Sequence, residues 1–416
     1  MNKTLKISDN ITLTHIDDDK FKAGYVSVYF VTPRTKSDVS RSNLLARVLR
    51  TSCEKYKSAQ ELDKKLESLY DSSLSIIAEP MGQYHLTGFR VKMVTEDFLP
   101  EKITDEIFEL IGNIIFHPNL NDEAFDEKYF DIEKSRLIQL IDSEVNDKSI
   151  YATIRANELM FYGSPQGIRS SGYKDEIEKI TPKILYEHYK NTIANSPVNI
   201  TLAGKFDIEK AKEKLGKIFT QKPTFTEVED IKVVKDSEFV DYVEKMDVTQ
   251  AKLVMYYEFG VSQYDDDFYD FIVMNSVFGS GTSSKLFMNV REKHSICYSI
   301  SSGVQKYTGT VMVYSAVDPN DIEKAVTLID EQMNSMKKGD ITDEEMNCAK
   351  KSYITALNSL EDRLSDLSDF YYRQSFSKKP KTIEEIKSVV ENVTRQDVIA
   401  VAQKAKLCCK YVLDKN

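Results

Sequence analysis

Cysteine is scarce in this chain of 416 residues, with five in all and no CxxC pair. An odd set of that kind argues against a disulfide framework and fits reduced thiols in a cytoplasm. Histidine is equally scarce: His15, His85, His117, His188 and His294 are scattered, and nothing has metal-ligand spacing. Long apolar runs are missing as well. A stretch such as "IFELIGNIIF" falls far short of the ~20 residues that cross a bilayer, and the opening "MNKTLKISDN" does not resemble a signal peptide. A cytoplasmic protein with no membrane partner is therefore expected. Positive charge is not in excess either; the formal net charge of −10 argues against non-specific nucleic-acid binding. The Gly279–Ser280–Gly281 loop follows a helical pattern and lacks Walker-type spacing, which excludes a phosphate cradle. No Ser-His-Asp or Cys-His arrangement stands out.

What is present is an ordinary globular composition, 41 % hydrophobic and 29 % charged, in a chain long enough for two or three domains. Period-two alternation predicts strands at "YVSVYFVT" (25–32), "SLSIIAEP" (73–80) and "YHLTGFRVKMV" (84–94). Helical patterns cover about 42–50, 58–69, 101–116 and 122–142. The second half replays that order, with "AKLVMYYEFG", "YDFIVMNSVFG", "SSKLFMNVREK", "ICYSISSG" and "GTVMVYSAV". Leu120 and Ile341, Asp122 and Asp343, and Asp97 and Asp318 are each 221 positions apart, and Thr181 and Thr394 are 213 apart. Matches in one order point to an internal duplication. The polar, poorly periodic stretch 219–237 reads as the linker between a first domain, 1–218, and a second, 238–416. The acidic pairs Asp122–Glu123 and Asp343–Glu344 suit first helical turns, where negative charge offsets the macrodipole. "KLCCKYVLD" reads as a terminal strand with Cys408 and Cys409 packed inside it.

Shortly after the first alternating stretch comes "NLLARVLR", an apolar helical run. Its polar members Asn43, Arg47 and Arg50 carry nothing that binds a metal or moves a proton at neutral pH.

In the second half, "FGSGTSSKLFMNVREKHSICYSISS" resembles the C-terminal-domain signature of the insulinase, pitrilysin and mitochondrial-processing-peptidase family, the inverted zinc peptidases. "LMFYGSPQGIRSSGYKDEIEKITPKILYEHYKNTIANSPVNITLAGKFD" resembles a later segment of the same family's N-terminal domain. The resemblance implies an α+β fold of two homologous domains, each an antiparallel-rich sheet with helices on one face, forming a clamshell around a peptide chamber. It also implies a His-x-x-Glu-His helix after the first strand, where two histidines one turn apart ligate Zn²⁺ and the Glu activates its water. A further Glu downstream completes the ligand set. Aligned to that pattern, Asn43 and Arg47 stand at the histidines and Ala46 at the catalytic Glu. Leu140, or Gln139 beside it, stands at the downstream ligand. The expectation is a zinc-less member with no metal and no cofactor, because Arg47 alone would set a permanent positive charge in the metal's place.

The resemblance also assigns substrate contacts to Arg291 in "VREK" and Tyr298 in "CYSI", and a peptide-facing loop to Gly279 and Gly281. The function it implies is that of a non-catalytic subunit, active only with a partner. Such a subunit forms a heterodimer with a zinc-bearing homologous peptidase, takes peptide or small protein substrate, and offers a strand edge to it. A structural or protein-maturation factor without peptide turnover is the alternative, and an independent metallopeptidase with relocated ligands is a third.

Overall fold

The computed structural model describes residues 3–225, 227 and 229–416. Met1, Asn2, Thr226 and Val228, which fall in the expected first domain and linker, lie outside the described residues. The first half opens with strands β1 (Lys3–Ser8), β2 (Ile11–Ile16) and β3 (Ala23–Pro33), then helices α1 (Lys36–Leu49) and α2 (Ala59–Ser68). Strands β4 (Ser73–Met81) and β5 (Tyr84–Val94) precede α3 (Thr104–Phe116) and the short strands β6 (Leu120–Asn121) and β7 (Ala124–Phe125). Helices α4 (Glu127–Ser143), α5 (Lys148–Met160), α6 (Lys174–Glu178) and α7 (Pro182–Asn195) follow, with β8 (Val198–Ala203) and α8 (Ile208–Ile218).

The second half contains β9 (Val240–Met246), β10 (Ala251–Glu258), α9 (Phe268–Phe278), a π-helix at Leu286–Glu292, β11 (Cys297–Gln305) and β12 (Thr310–Val317). It ends with α10 (Ile322–Lys337), α11 (Asp343–Leu360), α12 (Leu364–Gln374), α13 (Ile383–Asn392), α14 (Arg395–Gln403) and β13 (Lys406–Lys415). No described helix is long and apolar enough to cross a membrane.

The chain divides into two compact units that do not follow its linear halves. The N-terminal unit comprises Met1–Ser143, Ile168–Asp230 and Asp362–Arg373; the C-terminal unit comprises Glu144–Gly167, Ile231–Glu361 and Gln374–Asn416. Helix α5 of the first half thus belongs to the C-terminal unit, and all of α12 except Gln374 belongs to the N-terminal one. The two helices occupy equivalent places in the duplication, so each repeat lends the same helix to the other. The stretch 219–237 carries neither helix nor strand among its described residues, yet it is tied down. Asn10 donates to the Pro223 carbonyl, Gln83 donates to Asp230, and Ser237 donates to Glu258.

In the N-terminal unit the sheet order is β1-β2-β8-β3-β5-β4, antiparallel except for the β2–β8 pair. The alternation of "YVSVYFVT" explains its central place. Val26, Val28 and Phe30 face a core built with Leu44, Leu45 and Val48 of α1 and with Ile107, Ile111 and Ile114 of α3. The opposite face of β3 meets α12. Tyr29 stacks on Tyr372 with ring centroids 3.8 Å apart and planes 9° from parallel. Arg90 of β5 pairs with Asp369, and Arg373 with Glu79 of β4 at 2.8 Å. A strand buried on both faces in this way needs apolar or paired residues at every position, which "YVSVYF" supplies.

In the C-terminal unit the order is β11-β12-β10-β13-β9, antiparallel except for β13–β9. Helix α5 lies on one face, where Ala152 and Ala156 pack with Tyr256, Cys408, Cys409 and Tyr411. The hydroxyls of Tyr151 and Tyr411 both donate to Glu244, which also pairs with Arg155. Cys408 and Cys409 are buried packing residues on this strand. The duplication has one local break. Asp343 and Glu344 open α11 after the Thr342 capping box, but Asp122 sits at φ 53° in the turn between β6 and β7, and α4 begins only at Glu127. The small hairpin displaces the helix start, so Asp122–Glu123 are turn residues and not a first helical turn.

Candidate functional site

Helix α1 begins where Thr35 caps it, its hydroxyl accepting from the Asp38 N–H at 3.0 Å. It carries three of the positions at which the resemblance places metal chemistry. Asn43 is only 4 % exposed. Its Nδ2 donates to the Ser170 carbonyl at 2.7 Å, and its Oδ1 is 3.1 Å from His85 Nε2. Because the amide nitrogen is already the donor, the oxygen must accept, which fixes His85 as the Nε2–H tautomer. Ala46 is buried and lines a small internal cavity of about 20 Å³ with Leu45, Phe89, Thr192 and Ile193. Arg47 is half-buried and makes no hydrogen bond or ion pair among the described residues. On α4, Leu140 is 47 % exposed and Gln139 is exposed beside it, while Phe130, Glu133, Leu137 and Ile141 face inward.

These residues do not fit a dication. An amide locked into two hydrogen bonds, a methyl group, a guanidinium and an exposed aliphatic chain provide no set of anionic or imidazole donors. Among the described residues no group of three or more His, Cys, Asp or Glu side chains is placed to hold a metal ion.

Two histidines whose spacing offered no metal site grip this helix. His85, fully buried on β5, holds Asn43; His188, buried on α7, sits 3.0 Å from the Ser42 hydroxyl. Burial, aided by the Arg34 charge, pushes the His85 pKa down to about 3, and burial pushes that of His188 down to about 4. Both are neutral at physiological pH. No motif pointed to them, since each lies far in sequence from its partner.

The second group of candidates lies in the C-terminal unit. Gly279 ends α9 as its C-cap, its N–H donating to the Asn275 carbonyl at 2.9 Å, and its own carbonyl accepts from Ser302 on β11. A side chain there would strike Ser302 and Leu286, and Gly281 needs its φ of +98°, so both glycines answer local geometry. Downstream, Lys285 is buried in a 2.9 Å ion pair with Glu345.

Arg291 stands in the last turn of the π-helix. Its guanidinium carbon lies 4.6 Å from the centre of the Phe287 ring, and its Nη1 lies 3.7 Å from Glu292. Tyr298 occupies the position on edge strand β11 where the ladder skips: Cys297 pairs with Val317 and Ser299 with Ala316, leaving Tyr298 opposite no residue. It is 66 % exposed, and its hydroxyl has no hydrogen-bond partner among the described residues. Burial pushes the Cys297 thiol above its usual value, while a Ser315 hydrogen bond and the Arg291 charge pull the other way. The Arg291 charge thus reaches Cys297, the first residue of β11.

Comparisons with known proteins agree with this architecture. The solved structure of a conserved protein from Enterococcus faecalis superposes with a TM-score of 0.93 at 23 % identity, covering 100 % of this chain and 99 % of that one. A peptidase M16 inactive domain from Pseudomonas fluorescens gives 0.81 at 14 % identity, covering 100 % and 98 %. The fold is that of the two-domain M16 peptidases. The family described as "Peptidase M16 inactive domain" matches residues 179–353. The probable inactive metalloprotease YmfF of Bacillus subtilis is 28 % identical over 406 residues, 97 % of this chain and 95 % of the relative. The human mitochondrial-processing peptidase subunit alpha is 21 % identical over 337 residues, 72 % of this chain and 62 % of that protein. The chain is thus similar over nearly its whole length to an M16 homologue described as inactive, and it shares the M16 fold.

Proposed function

We propose that the chain is a non-catalytic subunit that pairs with a zinc-bearing homologue and contributes Arg291 and Tyr298 to a peptide bound there. The observation that carries this reading is where the two residues sit. Each projects from an irregular piece of backbone in the C-terminal unit, one from a π-helix and the other from a skipped position in a strand ladder. Such irregularities cost stability and are over-represented at functional sites. Each side chain also keeps hydrogen-bonding capacity for a ligand. A guanidinium can donate to substrate carbonyls, and a phenol can donate to an oxygen on which negative charge develops. The human relative is by name one subunit of a processing peptidase, which supports a paired assembly.

The sheet edge at β4 suits an extended peptide. In the N-terminal unit the two-residue turn at Gly82–Gln83 makes Met81 and Tyr84 the closing pair, so the main-chain groups of residues 74, 76, 78 and 80 point away from β5. Arg50 Nε takes the Leu74 carbonyl at 3.3 Å, and Pro80 has no N–H. Ile76 and Ala78 remain to pair with another main chain.

The test is co-expression with a zinc-bearing homologue, followed by cleavage assays on a pool of quenched fluorescent peptides. The expected result is a co-purifying pair that cleaves faster than the zinc-bearing subunit alone, with a loss of about tenfold or more in Arg291→Ala and Tyr298→Phe assemblies. Cleavage that is unchanged by adding this chain, or by either substitution, would overturn the reading.

A further inference from the structure

We infer that Phe287 is the positioning residue for Arg291, an inference that rests on the role proposed for Arg291 above. A guanidinium is planar, and all its N–H bonds lie in that plane. An aromatic ring packed on its flat face therefore fixes the orientation of the group without consuming a donor, whereas a carboxylate at its edge would occupy two donors. Phe287 is placed to act on Arg291 in this way. Its guanidinium carbon is 4.6 Å from the Phe287 ring centre, and the nearest carboxylate oxygen, on Glu292, is at 3.7 Å, too far for a normal hydrogen bond. The side chain is 38 % exposed, so part of the group stays open to solvent beside the ring.

The platform under the ring is itself braced. Leu286 and Val290, which immediately precede Phe287 and Arg291 in sequence, are fully buried. Asn289 donates to Gln332 of α10 at 2.7 Å, and the Lys293 N–H closes the helix onto the Met288 carbonyl at 3.0 Å, a five-residue step. The backbone that carries Phe287 is thus anchored, whereas Arg291, on its long flexible side chain, would otherwise sample many rotamers. Holding the arginine before substrate arrives removes part of the ordering cost of binding. The substrate groups such an arrangement serves are planar oxygen acceptors, backbone carbonyls or carboxylates.

Two measurements separate this inference from the reading beneath it. In the full chain labelled with ¹⁵N-arginine, the Arg291 Nε–H signal, assigned with Arg291→Lys, should carry a ring-current shift and a high order parameter. Phe287→Leu should abolish both, and Phe287→Tyr should keep them. In the assembly with the zinc-bearing homologue, Phe287→Leu should raise KM about threefold, with Phe287→Tyr restoring it. Should Arg291→Ala leave cleavage unchanged, the functional role of Arg291 fails although the NMR signature stands. If Arg291→Ala impairs cleavage while Phe287→Leu does not, or if the Arg291 signal is mobile in the unaltered chain, positioning by Phe287 is overturned. Should Phe287→Leu fail to fold, the mobility of the Arg291 signal in the unaltered chain still decides the matter.

Discussion

His85 donates from Nε2 to the Asn43 side chain at 3.1 Å, and Asn43 in turn donates to the Ser170 carbonyl at 2.7 Å. A helix position at which the family resemblance places a metal ligand here serves as the middle of a buried relay from β5 to the 168–173 loop. The outer nitrogen of His85, Nδ1, is buried without a partner among the described residues. That arrangement tolerates only the neutral ring.

The first prediction follows from the sign of the shift. The folded pKa values of His85, about 3, and His188, about 4, lie below the ordinary value of 6.5. At and above neutral pH both states are uncharged and nothing is gained or lost. As pH falls below about 6.5 the unfolded chain takes up protons that the folded chain refuses, so stability falls, by roughly 2–3 kcal/mol per histidine at pH 4.5. Asp270 acts oppositely: burial and the neighbouring Asp397 and Asp267 raise it to about 6, so acid relieves its strain. Urea unfolding at pH 7.5, 5.5 and 4.5, unaltered chain against His85→Gln, isolates the histidine. The variant should lose markedly less stability on acidification, and parallel curves would refute the assignment.

The second prediction concerns the loop. Ser170 is held by Asn43, Arg34 donates to the Ile168 carbonyl, and the Tyr173 N–H donates to Ser40 at 3.0 Å. Asn43→Ala removes one tie and leaves the His85 N–H without its acceptor. The cost should be about 1–3 kcal/mol. Hydrogen exchange should accelerate across residues 168–173 and at the β5 amides near His85, with little change in the C-terminal unit. Asn43→His should not keep these ties, since an imidazole cannot accept and donate at the two places the amide does.

Much of this was legible in the sequence, and the reasons differ by element. Strands β3, β5, β10 and β12 announce themselves by period-two alternation, and the duplication shows through offsets of 221 and 213. The exchange of α5 and α12 does not show, because an amphipathic pattern says that a helix has a face to bury and not which sheet will cover it. Tyr298's skipped position is equally silent: "CYSISSG" reads as a continuous strand, and the extra residue appears only in the pairing with β12. The π-helix differs from an α-helix by one residue in its hydrogen-bond step, too little to alter an apolar pattern over seven residues. Asn43, Ala46, Arg47 and Leu140 were singled out by the family resemblance alone. The histidines that brace α1 from β5 and α7 needed coordinates.

The third prediction turns on a single hydrogen atom. Gly88 of β5 faces Tyr29 of β3 across the ladder, and a β-carbon built there would fall 1.9 Å from the Val28 carbonyl oxygen. Backbone in the middle of a six-stranded sheet cannot move aside cheaply. Gly88→Ala should cost more than about 3 kcal/mol, the range of severe overpacking, and yield mostly insoluble protein. Gly303, where the same construction meets nothing within 4 Å, is the control, and Gly303→Ala should express normally.

The fourth prediction addresses the lent helix. In the N-terminal unit, the contacts of α12 include an aromatic stack and two ion pairs: Tyr372 on Tyr29, Asp369 on Arg90, and Arg373 on Glu79. The contributions should rank by burial. Tyr372 is 2 % exposed, so Tyr372→Ala removes a ring from a packed face and should cost about 3–5 kcal/mol. Asp369→Ala strips Arg90 of its carboxylate while the guanidinium, 19 % exposed, keeps its bonds to Ser27 and the Tyr29 hydroxyl; about 1–3 kcal/mol is expected. Arg373→Ala breaks a pair in which both side chains are about one-third exposed, and should cost no more than about 1 kcal/mol. Urea midpoints for the three variants, with hydrogen exchange at β3 and β5 amides as a local readout, test the order. An Arg373 variant as damaging as the Tyr372 variant would mean that charge, and not the stacked rings, fixes this helix to the sheet.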